Sequence, residues 1–315
     1  MKEPLIIIAG PTAAGKTALS VALAKRIGGE IISADSMQVY RGMDIGTAKV
    51  TPEEAAGVPH HLIDVLDPKE PFNVMTFRRM VKESIREVRE RGNVPVLVGG
   101  TGFYIQSVLY DVQFEEDASS AELRETLERE AKETGPEKMH ERLAALDPEA
   151  AAAIHPNNVK RVVRALEYCL ATGRKISEHN EAQRKRTSPY RFLYYVLTMD
   201  RAALYRRIDM RVDRMMEEGL LEEVKRLRDS GVTEDMVSMQ GIGYRQMFDY
   251  LTGIATLDEA VERIKRETRH FAKRQLTWFR REPDARWINL SDYGGDRLKI
   301  LDMMTEECLC LLEKN

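Results

Sequence analysis

A glycine-rich segment, Gly10-Pro-Thr-Ala-Ala-Gly-Lys-Thr17, constrains the fold of this chain more than any other feature. It fits the pattern G-x-x-x-x-G-K-[ST] and lies between a short apolar run, Leu5–Ala9, and apolar residues at helical spacing from Lys16 to Ile27. In such a strand–loop–helix context, backbone N–H groups turn inward around phosphate oxygens, and the helix N-terminus adds partial positive charge. The segment therefore predicts a di- or triphosphate site, in which Lys16 neutralises a phosphate and Thr17 reaches a magnesium ion.

Strand and helix patterns alternate as far as residue 110. Further short apolar runs predict strands at Glu30–Ser33, His61–Leu66 and Val94–Val98, and an amphipathic pattern predicts a helix at Phe77–Arg91. Such alternation is typical of a parallel sheet with helices on both faces. We therefore expect an α/β fold with a P-loop NTPase-like core.

The pattern changes after residue 114. Residues 115–191 are highly charged, helix-forming and interrupted by proline and glycine, which predicts a helical insertion domain of several short helices. The core pattern then resumes over 192–315, with predicted strands at Phe192–Met199 and Arg286–Leu290 and predicted helices at Leu204–Leu227, Leu257–Phe279 and Leu298–Leu312. The predicted domains are thus a core of residues 1–114 and 192–315, and an insertion of residues 115–191.

The composition argues against a membrane or disordered chain. The 315 residues are 43% hydrophobic and 31% charged, a profile typical of soluble globular proteins, and no apolar run reaches the roughly 18 residues of a membrane span. The first residues show no signal-peptide cleavage site, and Cys169, Cys308 and Cys310 follow no zinc or disulfide spacing. We therefore expect a cytoplasmic protein.

The net charge of −3 hides two basic stretches. Bases outnumber acids nine to three from Lys160 to Arg191, and eight to one from Arg263 to Arg281. Either stretch alone is equally compatible with a solvated helix face. Two such stretches in one chain favour a polyanionic partner.

The magnesium-binding aspartate of a P-loop NTPase has no clear counterpart here. That aspartate normally ends an apolar strand, whereas Val94–Val98 runs into Gly99-Gly100-Thr101 and the run around Asp64 continues into Pro68. This weakens the case for a nucleoside triphosphatase. It suits a ligand whose diphosphate leaves as a unit.

Asp35 directly follows the second predicted strand. Loops at the carboxyl ends of strands form the ligand crevice of open α/β sheets, so Asp35 is expected near the phosphate loop. A carboxylate there can accept a proton from an attacking amine. Its position alone favours a turn or a helix cap, and both alternatives stay open.

Five segments, in this order and spacing, resemble the tRNA dimethylallyltransferase family over nearly the whole chain. They are GPTAAGKT, ISADSMQVYRGMDIGTAK (Ile32–Lys49), VLVGGTGFY (Val96–Tyr104), HPNNVKRVVRALE (His155–Glu167) and GIGYRQM (Gly241–Met247). The phosphate loop alone is weak evidence, and the second and fifth segments make the resemblance specific. Cys308 and Cys310 lack the paired histidines of a zinc-finger tail, which favours the bacterial type.

The resemblance implies transfer of a dimethylallyl group from dimethylallyl diphosphate to the exocyclic amine of the adenine on the 3′ side of the tRNA anticodon. The adenine would be flipped out of the anticodon loop into a channel, and diphosphate would be released. The family's donor-diphosphate residues correspond to Gly10, Pro11, Thr12, Ala13, Ala14, Gly15, Lys16 and Thr17, with Mg²⁺ as cofactor at Thr17. The protein is expected to be a monomer whose partner is the tRNA anticodon stem-loop.

The same resemblance assigns roles to individual residues. Asp35 corresponds to the general base, Arg211 to an arginine on the leaving diphosphate, and Thr101 to a residue near the reacting centre; with Lys16 and Thr17 they form the expected catalytic set. The C-terminal helices of the core are expected to bind tRNA. The residues that correspond to tRNA contacts are Asp35, Ser36, Met37, Gln38, Thr101, Arg124, Lys160, Arg161, Val162, Val163, Arg164, Gln240, Gly241, Ile242, Gly243, Tyr244 and Arg245.

Several of these residues have simpler explanations on spacing alone. Arg124 has Glu128 four residues on, which is typical of a surface helix pair, and the stripe from Lys160 to Arg164 and the arginines at 207 and 211 also fit solvated faces. Two rival functions share the phosphate loop: a P-loop kinase for a small molecule, and a prenyltransferase acting on a free adenine nucleotide. The kinase would need the missing strand-end acid, and the nucleotide enzyme would have no use for the basic insertion.

Overall fold

The computed structural model describes residues 2–112, 120–184 and 187–313. The chain divides into two compact units, Met1–Leu109 with Pro189–Asn315, and Tyr110–Ser188. We call them the core unit and the insertion unit. The predicted boundary between residues 114 and 115 lies outside the described residues, so the limits 115–191 stay a prediction.

A parallel sheet forms the centre of the core unit. Its strands are β1 (Glu3–Ala9), β2 (Gly29–Ser33), β3 (His60–His61), β4 (Val94–Gly99), β5 (Tyr190–Thr198) and β6 (Ala285–Asn289). Within the described residues the order is β3-β2-β4-β1-β5-β6, and every pairing is parallel. This confirms the predicted α/β class with a parallel sheet flanked by helices.

The helices of the chain are α1 (Lys16–Ile27), α2 (Pro52–Ala55), α3 (Val74–Glu90), α4 (Gly102–Leu109), α5 (Ser120–Thr134), α6 (Pro136–Leu146), α7 (Pro148–Ala153), α8 (Val159–Thr172), α9 (Ile176–Arg184), α10 (Arg201–Glu217), α11 (Leu220–Asp229), α12 (Tyr244–Leu251), α13 (Leu257–Phe279) and α14 (Arg297–Glu313). Of these, α5 to α9 belong to the insertion unit. No helix among the described residues combines the length and the apolar character needed to cross a membrane.

Apolar residues cover both faces of the sheet. Ile6 and Ile8 belong to a buried cluster that also contains residues of α1 and α14. Leu5 and Ile7 alternate with them, so they point to the opposite face, and they are equally buried. Strands buried on both faces explain the continuous apolar run that the sequence shows before the phosphate loop.

Two predicted elements of the core unit are wrong in extent. The predicted helix Leu204–Leu227 is two helices, α10 and α11, because Gly219 between them has a φ of 99°. The predicted strand His61–Leu66 is only two residues long, since Leu62 and Asp64 have φ of 62° and 58° and cannot continue an extended chain.

The insertion unit has an apolar core of its own. Leu127 of α5, Leu143 of α6 and Leu166 of α8 are buried together in it. Asp147 between α6 and α7 is fully buried and accepts hydrogen bonds from the N–H of Ala150 and from the N–H and hydroxyl of Ser177. These bonds tie α7 to α9, as expected for a buried carboxylate that must be satisfied.

Candidate active site

Three loops that carry predicted site residues lie at the same edge of the sheet, and each follows one of three neighbouring strands. The loops follow β2, β4 and β1, which are adjacent and parallel. A Cβ on Gly99 would lie 2.2 Å from the carbonyl oxygen of Ala34, so only glycine permits the first two loops to approach this closely. The N–H of Thr101 donates to the same carbonyl at 3.4 Å. Thr101 and Asp35 are thereby brought together.

The phosphate loop ends in a helix start that is open to an anion. Gly15, the N-cap residue of α1, has a φ of 87°, and no side chain caps the helix. The first turn of α1 contains no acidic residue. The first N–H groups of a helix lack partners within the helix, so those of α1 form a site for phosphate oxygens.

Lys16 lies at the centre of this loop. Its Nζ donates to the carbonyl oxygens of Gly10 and Pro11, at 3.0 and 2.8 Å. Burial, and after it the positive charge of the nearby Arg211, lower the pKa of Lys16 to about 8, whereas the Asp35 carboxylate acts in the opposite direction. The Lys16 ammonium group is therefore within electrostatic reach of both the Arg211 guanidinium and the Asp35 carboxylate.

Arg211 reaches the phosphate loop from α10. Its Nη1 lies 3.4 Å from the hydroxyl oxygen of Thr12. Burial lowers the pKa of Arg211, and Arg207, one turn earlier, lowers it as well. Arg207 in turn approaches Gly15, because its Nη2 would lie 3.8 Å from a Cβ there. Like charges gathered at an uncapped helix start indicate an anion site.

Gln275 joins two of the loops and was not predicted. Its Oε1 accepts from the N–H of Thr12 and its Nε2 donates to the carbonyl of Gly100, both at 3.0 Å. Gln275 lies on α13 at a buried position between Ala272 and Phe279. The sequence signal that could have identified Gln275 is a glutamine within an apolar stripe of a helix, because a buried amide requires hydrogen-bond partners.

Asp35 forms the turn that the sequence left open as an alternative. Its Oδ1 accepts from the N–H groups of Met37 and Gln38, at 2.8 and 3.4 Å. A carboxylate has two oxygens with several acceptor positions. The turn therefore orients Asp35 without excluding a role as proton acceptor.

The three residues after Asp35 differ in their surroundings. The side-chain amide of Gln38 accepts from the Ser33 hydroxyl at 3.1 Å and donates to the carbonyls of Thr47 and Ala48, so it holds the loop together from inside. Met37 lies near Gly241, where a Cβ would be 3.5 Å from its Sδ. Ser36 is half-exposed. Their predicted contacts with tRNA stay predictions.

Only some residues of the predicted segment Gln240–Arg245 are exposed. Gln240 is exposed and donates to the carbonyl of Glu234, and Arg245 is exposed and forms an ion pair with Glu267 at 2.5 Å. Gly241, Gly243 and Tyr244 are buried and Ile242 is half-buried. Burial and Glu223 raise the pKa of Tyr244 well above its usual value. Its hydroxyl therefore acts as a donor inside the protein.

Predicted tRNA contacts in the insertion unit fall into two groups. Lys160, Arg161 and Arg164 are exposed along α8. Val162 and Val163, only 0% and 2% exposed, belong to the apolar core of the unit. Direct side-chain contact with RNA is therefore excluded for these two valines in this conformation, because they pack where they hold α8 in place.

Arg124 of the insertion unit makes an ion pair with a buried carboxylate. Its Nε and Nη2 donate to the two carboxylate oxygens of Glu167 at 2.9 and 2.6 Å, and Glu167 is only 5% exposed. Arg164 also donates to Glu167, at 3.3 Å. The partner suggested by spacing was Glu128, and the fold supplies Glu167 from α8 instead.

The Thr17 hydroxyl lies in the first turn of α1, where it could hold a divalent metal together with substrate phosphates. Within the described ranges there is no group of three or more His, Cys, Asp or Glu residues that could hold a metal. Thr17, Ser33 and Gln38 line a small cavity of about 30 Å³. Magnesium is often held by one or two protein oxygens together with phosphate oxygens. Thr17 can provide such a ligand.

The fold and this site define an α/β enzyme of the P-loop type. A family model described as IPP transferase matches residues 38–282, and one described as isopentenyl transferase matches residues 3–72. The tRNA dimethylallyltransferase of Lachnoclostridium phytofermentans is 54% identical over 312 residues, which cover 99% of this chain and 98% of the relative. That of Bacillus subtilis is 50% identical over 304 residues, covering 96% of each chain.

Solved structures agree with these relatives. The full-length tRNA isopentenylpyrophosphate transferase of Bacillus halodurans is 46% identical over 99% of both chains, with a TM-score of 0.74. A eukaryotic dimethylallyltransferase, whose structures follow its action on tRNA, is 32% identical over 91% of this chain and 74% of the other, with a TM-score of 0.77. The chain belongs to the tRNA isopentenyltransferase family.

The lowered pKa of Lys16 predicts how diphosphate binding depends on pH. The amine is charged below a pKa of about 8, so affinity for a monoalkyl diphosphate should be full near neutral pH and should fall as pH rises, by up to about ten-fold per pH unit above the pKa. Calorimetric titration at a series of pH values measures this. Lys16→Arg, which keeps its charge, should flatten the profile, and the exposed Lys25→Arg should not change it. An equally steep profile in Lys16→Arg would contradict the assignment.

Proposed function

We propose that this chain transfers a dimethylallyl group from dimethylallyl diphosphate to the exocyclic amine of the adenine on the 3′ side of the tRNA anticodon, releasing diphosphate. The observation that carries the proposal is the arrangement of Lys16, Arg211 and Asp35 at one edge of the sheet in a member of this family. Cations for a leaving diphosphate and a carboxylate for an attacking amine are the groups that this chemistry requires.

The leaving diphosphate gains negative charge as the bond between its oxygen and the allylic carbon breaks. Lys16, Arg211 and the first N–H groups of α1 converge on the phosphate loop, where they stabilise that charge. Mg²⁺, when bound through the Thr17 hydroxyl and the diphosphate, supplies further positive charge there. Binding of the diphosphate also gives Lys16 a partner in place of the two loop carbonyls.

The adenine amine must lose a proton as its bond to the allylic carbon forms. Asp35 accepts that proton, and its turn with Met37 and Gln38 keeps the carboxylate oriented. Thr101 is held beside this loop by its bond to Ala34, which suits its role near the reacting centre. The nitrogen–carbon bond formed, the carbon–oxygen bond broken, the proton on Asp35 and the released diphosphate balance the reaction.

The acceptor adenine has to be removed from the stacked bases of the anticodon loop before it can react. Enzymes that modify a base flip it into a pocket, and the bases of RNA loops are those most easily splayed out. Ser36, Met37 and the surface residues Gln240 and Arg245 belong on the acceptor side, and the exposed cations of α8 suit tRNA phosphates. We further propose that the enzyme acts as a monomer in the cytoplasm.

A comparison of acceptors tests the proposal against both rivals. Labelled dimethylallyl diphosphate is incubated with Mg²⁺ and with unmodified tRNA, AMP or ATP. Label on tRNA alone supports the proposal. Label on AMP would favour the free-nucleotide prenyltransferase, and turnover of ATP without prenyl transfer would favour a kinase.

Asp35→Asn tests the proton acceptor. The amide keeps the shape of the turn but cannot take up the proton, so single-turnover transfer to tRNA should fall about 10²- to 10⁴-fold. Affinities for donor and tRNA should change little. The exposed Asp229→Asn is the matched control. A normal transfer rate in Asp35→Asn would reject Asp35 as the base.

The exposed cations of α8 provide a separate test of tRNA binding. Replacing Lys160 and Arg161 together by Ala should weaken tRNA binding and reduce the slope of log affinity against log salt by about 1.5, with donor affinity unchanged. Filter binding at several salt concentrations measures the slope, and Lys138→Ala on the surface of α6 is the control. If the slope stays the same, this stripe is a solvated face.

A further inference from the structure

Glu223 is a buried carboxylate that the proposed mechanism does not use. It lies on α11 and is only 1% exposed. Its Oε2 accepts from the N–H groups of Asp44 and Ile45, both at 2.8 Å, and its Oε1 accepts from the N–H of Gly46 at 3.1 Å and from the hydroxyl of Tyr244 at 2.7 Å. Burial of a charge is costly unless donors meet it, and here four donors do so.

Successive N–H groups that converge on one anion form a nest, a common site for bound phosphates and carboxylates. Here the anion is part of the chain itself. We call Glu223, the N–H groups of residues 44–46 and the Tyr244 hydroxyl the Glu223 latch. The latch fastens α11 to two segments that are far apart in sequence, the loop after β2 and the start of α12.

Both of these segments carry predicted site residues. The loop after β2 begins with Asp35, and Tyr244 belongs to the segment Gln240–Arg245. They also pack directly on one another, because a Cβ on Gly46 would lie 2.5 Å from the Cζ of Tyr244. Only glycine therefore allows the tyrosine ring to cross the loop and reach Glu223.

The latch is linked to Asp35 through the loop itself. Residues 44–46 are followed by Thr47 and Ala48, whose carbonyls accept from the side chain of Gln38 at 3.2 and 3.3 Å. The N–H of Gln38 donates to Asp35. Loss of the latch would free residues 44–46 of the loop. The earlier part of the same loop, at Gln38, orients the Asp35 carboxylate.

We propose that Glu223 is a positioning residue for the transfer reaction, and that the Glu223 latch holds the Asp35 loop and the Gln240–Arg245 segment at a fixed spacing for the acceptor adenine. This inference rests on the proposed function. Glu223 itself does not contact the reacting atoms. All four of its partners are donors, so a glutamine would turn its own N–H donors toward at least one of them.

The test compares Glu223→Gln with Glu222→Gln, an exposed neighbour whose carboxylate pairs with Lys225 at 3.6 Å. Single-turnover transfer to saturating tRNA should fall about ten-fold or more in Glu223→Gln, because small displacements of a catalytic group are costly. Affinity for dimethylallyl diphosphate should be unchanged, since Lys16 and Arg211 lie on other elements. Hydrogen exchange of the amides of residues 44–46 should become faster in this variant alone.

Tyr244→Phe provides a second variant should Glu223→Gln fail to fold, because it removes one donor and keeps the ring against Gly46. It should show the same pattern to a smaller extent. Faster exchange at residues 44–46 with a normal transfer rate per folded molecule would overturn the positioning role. If the wild-type enzyme transfers nothing to tRNA, the proposed function itself fails, and that outcome is distinguishable because it needs no variant.

Discussion

The core unit is organised around a concentration of positive charge at the N-terminus of α1. Lys16, Arg207 and Arg211 approach one phosphate loop, and burial together with mutual repulsion lowers the pKa of both Lys16 and Arg211. Such an arrangement is unfavourable until an anion binds. It persists because the sheet, α1 and α10 hold the three side chains, as is common at functional sites.

Other contacts hold the loops after β2 and β4 close to these positive charges. Gln275 ties the phosphate loop to the Gly100 carbonyl, and the close approach at Gly99 brings the β2 and β4 loops together. The Asp35 carboxylate is thus near enough to Lys16 to raise its pKa. The phosphate loop and the Asp35 loop are supported by different residues, which suits the transfer between two substrates that we propose.

The sequence predicted most of the fold and the position of the phosphate loop, but not the side chains that connect the loops. Periodicity located α1 at Lys16–Ile27 and α13 at Leu257–Phe279, and the glycine motif located the phosphate loop. Gln275 and Glu223 could not be assigned a role, because their partners Thr12 and Asp44 are 263 and 179 residues away and nothing local reveals them. The sequence showed only that each is a polar residue within an apolar helix stripe.

The errors in the predicted ends of strands and helices also have local causes. Left-handed backbone at Leu62, Asp64 and Gly219 ended elements that side-chain patterns continued. The resemblance to a family was specific for segments, but it could not separate outward from inward side chains. The expected tRNA contacts therefore include Val162 and Val163, whose side chains are buried, and these contacts stay a prediction.

We propose above all that the phosphate loop holds a diphosphate that leaves whole. The most direct test is to measure the phosphorus product formed during transfer from dimethylallyl diphosphate to tRNA, alongside the number of adenines modified. We expect intact diphosphate in an amount equal to that of the modified adenine. Release of orthophosphate by the enzyme itself would contradict this proposal.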